Sequence, residues 1–571
     1  MLLTCLIFGY VAFVSILFGF GLNSFFSDHQ PIKTQAAPSF AILSVQGLVF
    51  IAIIGMGLSI VMPLGLLANG IIAAIGLFLL FYHGKKFFSF LAEKLKSIRT
   101  FHPLTWLLFG AIFVIVLAKS TQSPLNYDTG LYHAQNIRWM ETYAVVPGLG
   151  NLHDRLAFNS NWLLLSALFS FSFVGLPSFH ALGAFLLILT AGFCLVKIDN
   201  LIQGQASLSN FAAILVLFLL RRIFSLELSS PGTDMPATLL VWLIFLIGME
   251  KVEEGTDTQF DAKTFMLVLL AAFAITIKVT VLPIFILPAY FVLRGIRTMK
   301  PADFLSSAGL ALAILALWMA RNVIISGYLV YPLVGTDWFP VDWKIPPPQT
   351  QLAAEFIHSW ARIPNHNPGE VLSLPFTAWV PTWYQNLEGL DRQILIGMGA
   401  GTIALLIFVG IGLLRSKKIP GSLARYAIFY GAALIGIGAW FFQLPTFRFG
   451  YGFMGIFLCL LAAPFLRWPG SVSAGLSKTT GLLALAALLL YQLVGLYNLR
   501  GQSDLQSHLV FPSAYPEITT TQTIIGNSIV FLPAEGDQCW YNSFPCVPYI
   551  PSGIEMRGLH LEDGFKNIST R

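Results

Sequence analysis

Long apolar runs separated by short polar linkers dominate the chain. Runs near membrane-crossing length fall at about 3–22, 41–61, 64–82, 103–119, 179–196, 209–226, 235–250, 303–320, 393–414, 423–441, 449–466 and 479–497. A helix needs roughly 20 residues to cross about 30 Å of hydrocarbon. The stretch 264–294 is too long for one crossing and is interrupted at Lys278, so it predicts two short spans. The pattern predicts an all-α polytopic membrane protein with about 14 transmembrane helices, within a range of 12–14. A further apolar stretch, 161–176, is expected not to span, but to lie at the interface or re-enter, anchored by Trp162.

Composition agrees with the pattern. Of 571 residues, 56% are hydrophobic and only 11% are charged, against roughly 25% charged in a soluble domain. That scarcity excludes a soluble enzyme, a disordered chain and a nucleic-acid binder, and the net charge of +6 is too small for a nucleic-acid footprint. The N-terminal run "MLLTCLIFGYVAFVSILFGFG" lacks a charged flank and a small-residue cleavage site, so it reads as a retained membrane segment.

Charge gives the orientation. Segments 23–40, 83–102, the linker at Lys197, 250–263, 294–302, 415–425 and 467–478 hold 18 of the 33 Lys and Arg residues, which predicts that they are cytoplasmic. This parity requires that 161–176 does not cross. Three large polar regions then fall outside: 120–178, 321–392 and the tail 498–571.

Candidate chemistry gathers at these outer boundaries. Asp128 lies just past the fourth span in "SPLNYDTGLYHAQNIRWMETY", followed by His133 and Glu141, with His153, Asp154 and Arg155 on the return. Asp234, in "LELSSPGTDMPATLL", opens a later span, with Glu227 and the pair Arg221–Arg222 before it. Either acid could cap its helix. Placed at one depth, the two could instead share a site as general base or metal ligand. Lys278, Arg321 and Arg448 lie at the same level; each could anchor its helix at the interface, and together they suit a lipid phosphate or diphosphate. The loop 321–392 carries Trp338, Trp343, Trp360, Trp379 and Trp383, either as an aromatic belt or as faces for sugar rings. In the tail, Cys539 and Cys546 could pair if that region faces an oxidising compartment, or stand as inert thiols. No P-loop, dinucleotide fingerprint, zinc motif or nucleophile elbow occurs.

Two resemblances follow. The order of an acid in the first large outer loop ("NYDTGLYH"), an acid opening a later outer turn ("SPGTDMP") and a base beginning a late span ("PTFRFGYG") resembles the GT-C superfamily of polytopic glycosyltransferases across about 103–497. The phrases "YDTGLYHAQNIRW", "ARNVIISGYLVYP" and "CWYNSFPCVPY" are similar to those of a group of uncharacterised bacterial inner-membrane proteins. The GT-C resemblance implies a sugar donor linked to polyprenyl phosphate and an outer-face glycan, lipid or protein acceptor in cell-envelope assembly. It implies Asp128 as base, Asp234 in support, and Arg448 with Lys278 or Arg321 on the lipid phosphate; His133 and His153 of the first outer loop are further candidate substrate contacts. A divalent cation, Mg or Mn, is the one cofactor it brings in, although Thr129 stands where many members carry a second acid.

The implied organisation is three extra N-terminal helices and a basic linker (1–102), a GT-C-like core (103–497) and an extracytoplasmic tail (498–571), set in a bacterial inner membrane. Alternative readings are a lipid-linked oligosaccharide transporter, and a polymerase or ligase. A transporter would place its polar residues near the bilayer midplane. A polymerase or ligase would lean on Arg and His in the large loop.

Overall fold

The computed structural model of the protein describes residues 1–27, 39–416, 421–463, 473–500 and 506–568. The basic linkers expected at 23–40, 415–425 and 467–478 lie partly outside these residues. The first half carries α1 (Leu2–Ser27), α2 (Phe40–Val61), α3 (Leu66–Ile98), α4 (Pro103–Ser120), α5 (Ala134–Thr142), α6 (Leu149–Leu152), α7 (Asn161–Leu168), α8 (Leu182–Ile202), α9 (Leu208–Phe224) and α10 (Asp234–Glu253). The second half carries α11 (Ala262–Ile277), α12 (Ile286–Gly295), α13 (Pro301–Ser326), α14 (Pro347–Arg362), α15 (Pro368–Ser373), α16 (Phe376–Gln385), α17 (Gly389–Ser416), α18 (Gly421–Gln443), α19 (Phe447–Leu461) and α20 (Ala474–Leu499).

Among the described residues, ten helices are long and apolar enough to cross a membrane: α1 to α4, α8, α10, α13, α17, α18 and α20. The chain is thus a helical, multi-pass membrane protein. The other expected spans fall on shorter helices: α9 has 17 residues, α11 16, α12 10 and α19 15. At 1.5 Å per residue these are shorter than the hydrocarbon is thick. Helix α7, inside the stretch 161–176, has eight residues, all buried, so it cannot cross. Trp162 is buried within it rather than resting at an interface.

Local chemistry explains the helix limits. Ser39, Ser207 and Asp261 accept backbone N–H bonds at the starts of α2, α9 and α11. Gly327, at φ 85°, ends α13 in a left-handed conformation that a side chain would strain. Helices α1 and α2 pack through small residues: a Cβ on Gly47 would collide with the Ser15 carbonyl, and the Ser15 and Ser44 hydroxyls bond at 2.6 Å. Helix α10 sits at the centre of the bundle, with 94% of its apolar window buried, whereas α17 lies at the edge with 6%.

A small cap covers the end of the bundle where α4 finishes and α10 begins. It holds β1 (Thr520–Ile525) paired antiparallel with β2 (Ser528–Pro533), and β3 (Ile554–Met556) paired antiparallel with β4 (Phe565–Asn567). Cys539 and Cys546 are joined by a disulfide. The cap, the loop 121–160 and the end of α13 share one apolar cluster containing Trp139, Tyr328, Tyr331, Val547 and Phe565.

Candidate functional site

The site begins with a wide helical turn, Thr129–His133, that feeds α5. Asn126, not Asp128, caps it: the Thr129 N–H donates to Asn126 Oδ1 at 3.3 Å, and the Asp128 side chain makes no capping bond. Asp128 is therefore free to meet Arg448, whose Nη1 lies 2.8 Å from Asp128 Oδ2. Asp234 is the first residue of α10 and likewise is not a cap. Its Oδ2 lies 3.5 Å from Arg448 Nε, and its other oxygen accepts from Lys278. Lys278 occupies an extended residue between α11 and a tight turn over Val279–Phe285, where Pro283 removes a backbone donor. Its ammonium lies 3.8 Å from the centre of the Phe449 ring, and the Arg448 guanidinium lies 5.1 Å from the same ring. Two carboxylates and two cations thus form one connected cluster, drawn from the 121–160 loop, α10, the end of α11 and α19.

Packing fixes the cluster from two sides. Phe447, next to Arg448, lies between Trp383 (6.0 Å, stacked) and Trp440 (5.2 Å, edge-on). Trp383 donates to the Pro445 carbonyl at 2.8 Å. Trp379 and Trp383 are therefore packing residues, and Trp343 lies under Arg557, while Trp338 and Trp360 stay exposed. On the other side the disulfide loop clasps the Asp128 segment. The Cys539 and Trp540 N–H groups both donate to the Gly130 carbonyl, at 2.8 and 2.9 Å. Gln135 donates to the Trp540 and Ser543 carbonyls and accepts from the Cys546 N–H. A Cβ on Gly130 would lie 2.8 Å from the Trp540 ring, so only glycine permits this approach. Arg138 lies 5.0 Å from the centres of the Tyr541 and Phe544 rings.

The electrostatics are uneven. Burial raises the Asp128 pKa, but Arg448 and Lys278 outweigh it and hold this carboxyl below its usual range. Glu227 is a third acid beside the cluster; both its oxygens accept from Asn126 at 2.9 Å. Burial lifts its carboxyl above the usual range, against Asn126 and Arg448. His133 is 2% exposed, and neither ring nitrogen has a hydrogen-bond partner among the described residues. Burial pushes its pKa down to about 4, so the ring is neutral. Thr129 Oγ1 and Thr280 Oγ1, each one or two residues from the cluster in sequence, are also buried without partners. Orphaned buried polar atoms are rare and call for an explanation such as a ligand or water. The cluster itself is partly open: the side chains are 14% (Asp234), 19% (Lys278), 22% (Asp128) and 40% (Arg448) exposed.

Two of the expected residues stand elsewhere. Arg321 is buried on α13 and turned toward α2 and the 159–161 segment, where it donates to Asn159 Oδ1 at 3.2 Å and to the Ser59 hydroxyl. His153 belongs to a neighbouring group, accepting from the Arg155 N–H at 3.0 Å and lying 3.5 Å from Asp154. The contacts that sequence reading missed are those of Asn126, Gly130 and Gln135 with the cap. As paired here, Arg448 and Lys278 take both oxygens of Asp234 and one of Asp128, so a divalent cation held by these acids would compete with the two cations. No cluster of three or more metal-ligating side chains occurs among the described residues.

The family model described as a domain of unknown function, DUF8201, matches residues 1–455, and the chain belongs to that family. No curated protein and no solved structure matches the chain.

Proposed function

We propose that this member of the DUF8201 family is a membrane glycosyltransferase of the GT-C type. In this reading it has about 14 spans, lies in a bacterial inner membrane and carries its cap on the outer side. It moves a sugar from a polyprenyl-phosphate donor to an acceptor hydroxyl. The observation that carries the reading is the joint cluster of Asp128, Asp234, Lys278 and Arg448, partly open and bordered by orphaned polar atoms. Such a cluster suits an anionic leaving group: Arg can grip a phosphate with two donors, and Lys adds a point charge.

The chemistry follows from competition for those cations. The donor's phosphate takes Arg448 and Lys278 from the two aspartates. Asp128 loses the neighbours that depress its pKa and becomes a better proton acceptor. The acceptor hydroxyl attacks the anomeric carbon and passes its proton to Asp128. The bond from that carbon to the phosphate oxygen breaks, and the electron pair leaves with polyprenyl phosphate, held by the two cations. Attack opposite the leaving group inverts the anomeric centre.

The test is transfer from labelled polyprenyl-phosphate sugars by the purified protein. Asp128→Asn lowers turnover by about 10²–10⁴-fold, the range for losing a general base. Arg448→Gln raises KM for the donor. Full turnover in Asp128→Asn overturns the role of base, and no transfer from any such donor overturns the reading.

A further inference from the structure

A second cationic feature lies below the cap, where α4, α8, α9 and α20 meet. A small cleft there is walled by Ile112, Val116, Leu187 and Leu217. Lys119, Arg221 and Gln492 supply its principal polar groups. The two cations line the same cleft, and among the described residues neither forms an ion pair. Lys119 donates to the Ser225 carbonyl at 3.3 Å. Arg221 donates to the Tyr491 carbonyl and lies 4.3 Å from the centre of that ring. Gln492, 3% exposed, lines the same cleft. Helix α20 is shaped for the guanidinium: a Cβ on Gly495 would lie 2.6 Å from Arg221 Cζ.

Charged side chains at membrane depth are costly and normally find a partner. Here two cations and a buried amide side chain border an apolar cleft whose lining includes no acid. We infer that the cleft binds an anionic phospholipid, its phosphate between Lys119 and Arg221 and one acyl chain along the wall of α4 and α9. Gln492 donates to a phosphate or glycerol oxygen. The site is separate from the Asp128 cluster and does not depend on the transferase reading. It also has a route to that cluster: Ser225, the carbonyl partner of Lys119, begins the turn that carries Glu227.

The test uses the full chain, purified in neutral detergent. Native mass spectrometry and thermal unfolding are followed with phosphatidylglycerol, phosphatidylcholine or inorganic phosphate. Phosphatidylglycerol is expected to give a retained one-to-one adduct and a rise in Tm. Lys119→Gln with Arg221→Gln weakens that binding by about tenfold or more, the loss expected when charge-assisted hydrogen bonds go. Phosphatidylcholine binds more weakly by about the same factor, since it carries no net negative charge. Equal binding of both lipids, or an undiminished adduct in the double variant, overturns the proposal. A shift reproduced by inorganic phosphate alone also overturns it, by showing a site for the free ion. Should the double variant not fold, Gly495→Leu, which displaces Arg221, and Gln492→Leu must each weaken phosphatidylglycerol binding. Undiminished binding in either overturns the proposal.

Discussion

The two ends of α10 carry ionic groups of opposite character. At its far end Lys251 is fully buried and lies 2.7 Å from Asp261, and its ammonium also donates to the Gln259 carbonyl at 2.9 Å. Asp261 accepts from the Thr264 N–H and hydroxyl at 2.9 and 3.1 Å. Nearby, Asp199 accepts from the His102 N–H, Thr105 and Gln203. These groups have fixed protein partners. At the near end Asp128, Asp234, Lys278 and Arg448 are partly open, and His133 beside them has none. The difference teaches that charge within a bundle does not by itself mark a site. A saturated pair holds helices together; an unsaturated, open group leaves work for a ligand.

The largest effect that tests this contrast is on stability at the far end. Lys251→Met leaves Asp261 buried and unpaired, which costs about 3–5 kcal/mol. Denaturant or thermal unfolding of the purified protein measures it. Adding Asp261→Leu recovers most of the loss, because a buried ion pair replaced by packed apolar groups is often nearly neutral. A single variant as stable as the parent would show that this end is not a staple.

Acid separates the two ends next. Burial pushes His133, His153 and His180 down to about 4 from 6.5, and all three lie in the cap-side loop and its border. Between those values the unfolded chain binds protons that the folded chain refuses. Stability therefore falls as pH drops from about 6.5 to about 4, then levels off for these groups. Each contributes on the order of 3 kcal/mol at most. Asp128, with its folded pKa depressed, acts in a lower window: its contribution is present above about 3.8 and is lost as pH falls further. Unfolding curves at stepped pH should show the loss, and His133→Phe should remove one part of the slope. An unchanged slope in that variant would place the titration elsewhere.

What the sequence made legible follows from what span counting can measure. Apolar runs mark α2, α8 and α10, and span parity brings Asp128, Asp234, Lys278 and Arg448 to one level. Counting does not report helix rotation, so Arg321, at the same level, turns toward Ser59 and Asn159 instead. Nor does composition separate a tryptophan on a surface from one in a nest such as Trp383 against Phe447. The clasp of Gly130 and Gln135 by residues near 540 joins positions 405 apart and leaves no local pattern. Breaking the disulfide of that clasp, by Cys539→Ser with Cys546→Ser, should cost about 2–3 kcal/mol on loop-closure grounds. Hydrogen exchange should rise first in 129–142, while the amides of α10 stay protected.

The smallest expected effect is the sharpest test of the contrast. Asp128→Asn removes one charge from the near-end cluster, but the amide oxygen can still accept from Arg448. That guanidinium is 40% exposed and also reaches Asp234, so it is not stranded. The expected cost is about 1 kcal/mol or less, as for partly exposed ion pairs. Unfolding should be nearly that of the parent, in contrast to Lys251→Met. A loss as large as that of Lys251→Met would mean that Asp128 is a staple too, and the cluster would then lose its claim to be a site. Near-parental stability with lost turnover would assign Asp128 to chemistry rather than to folding, since one substitution would then have separated the two.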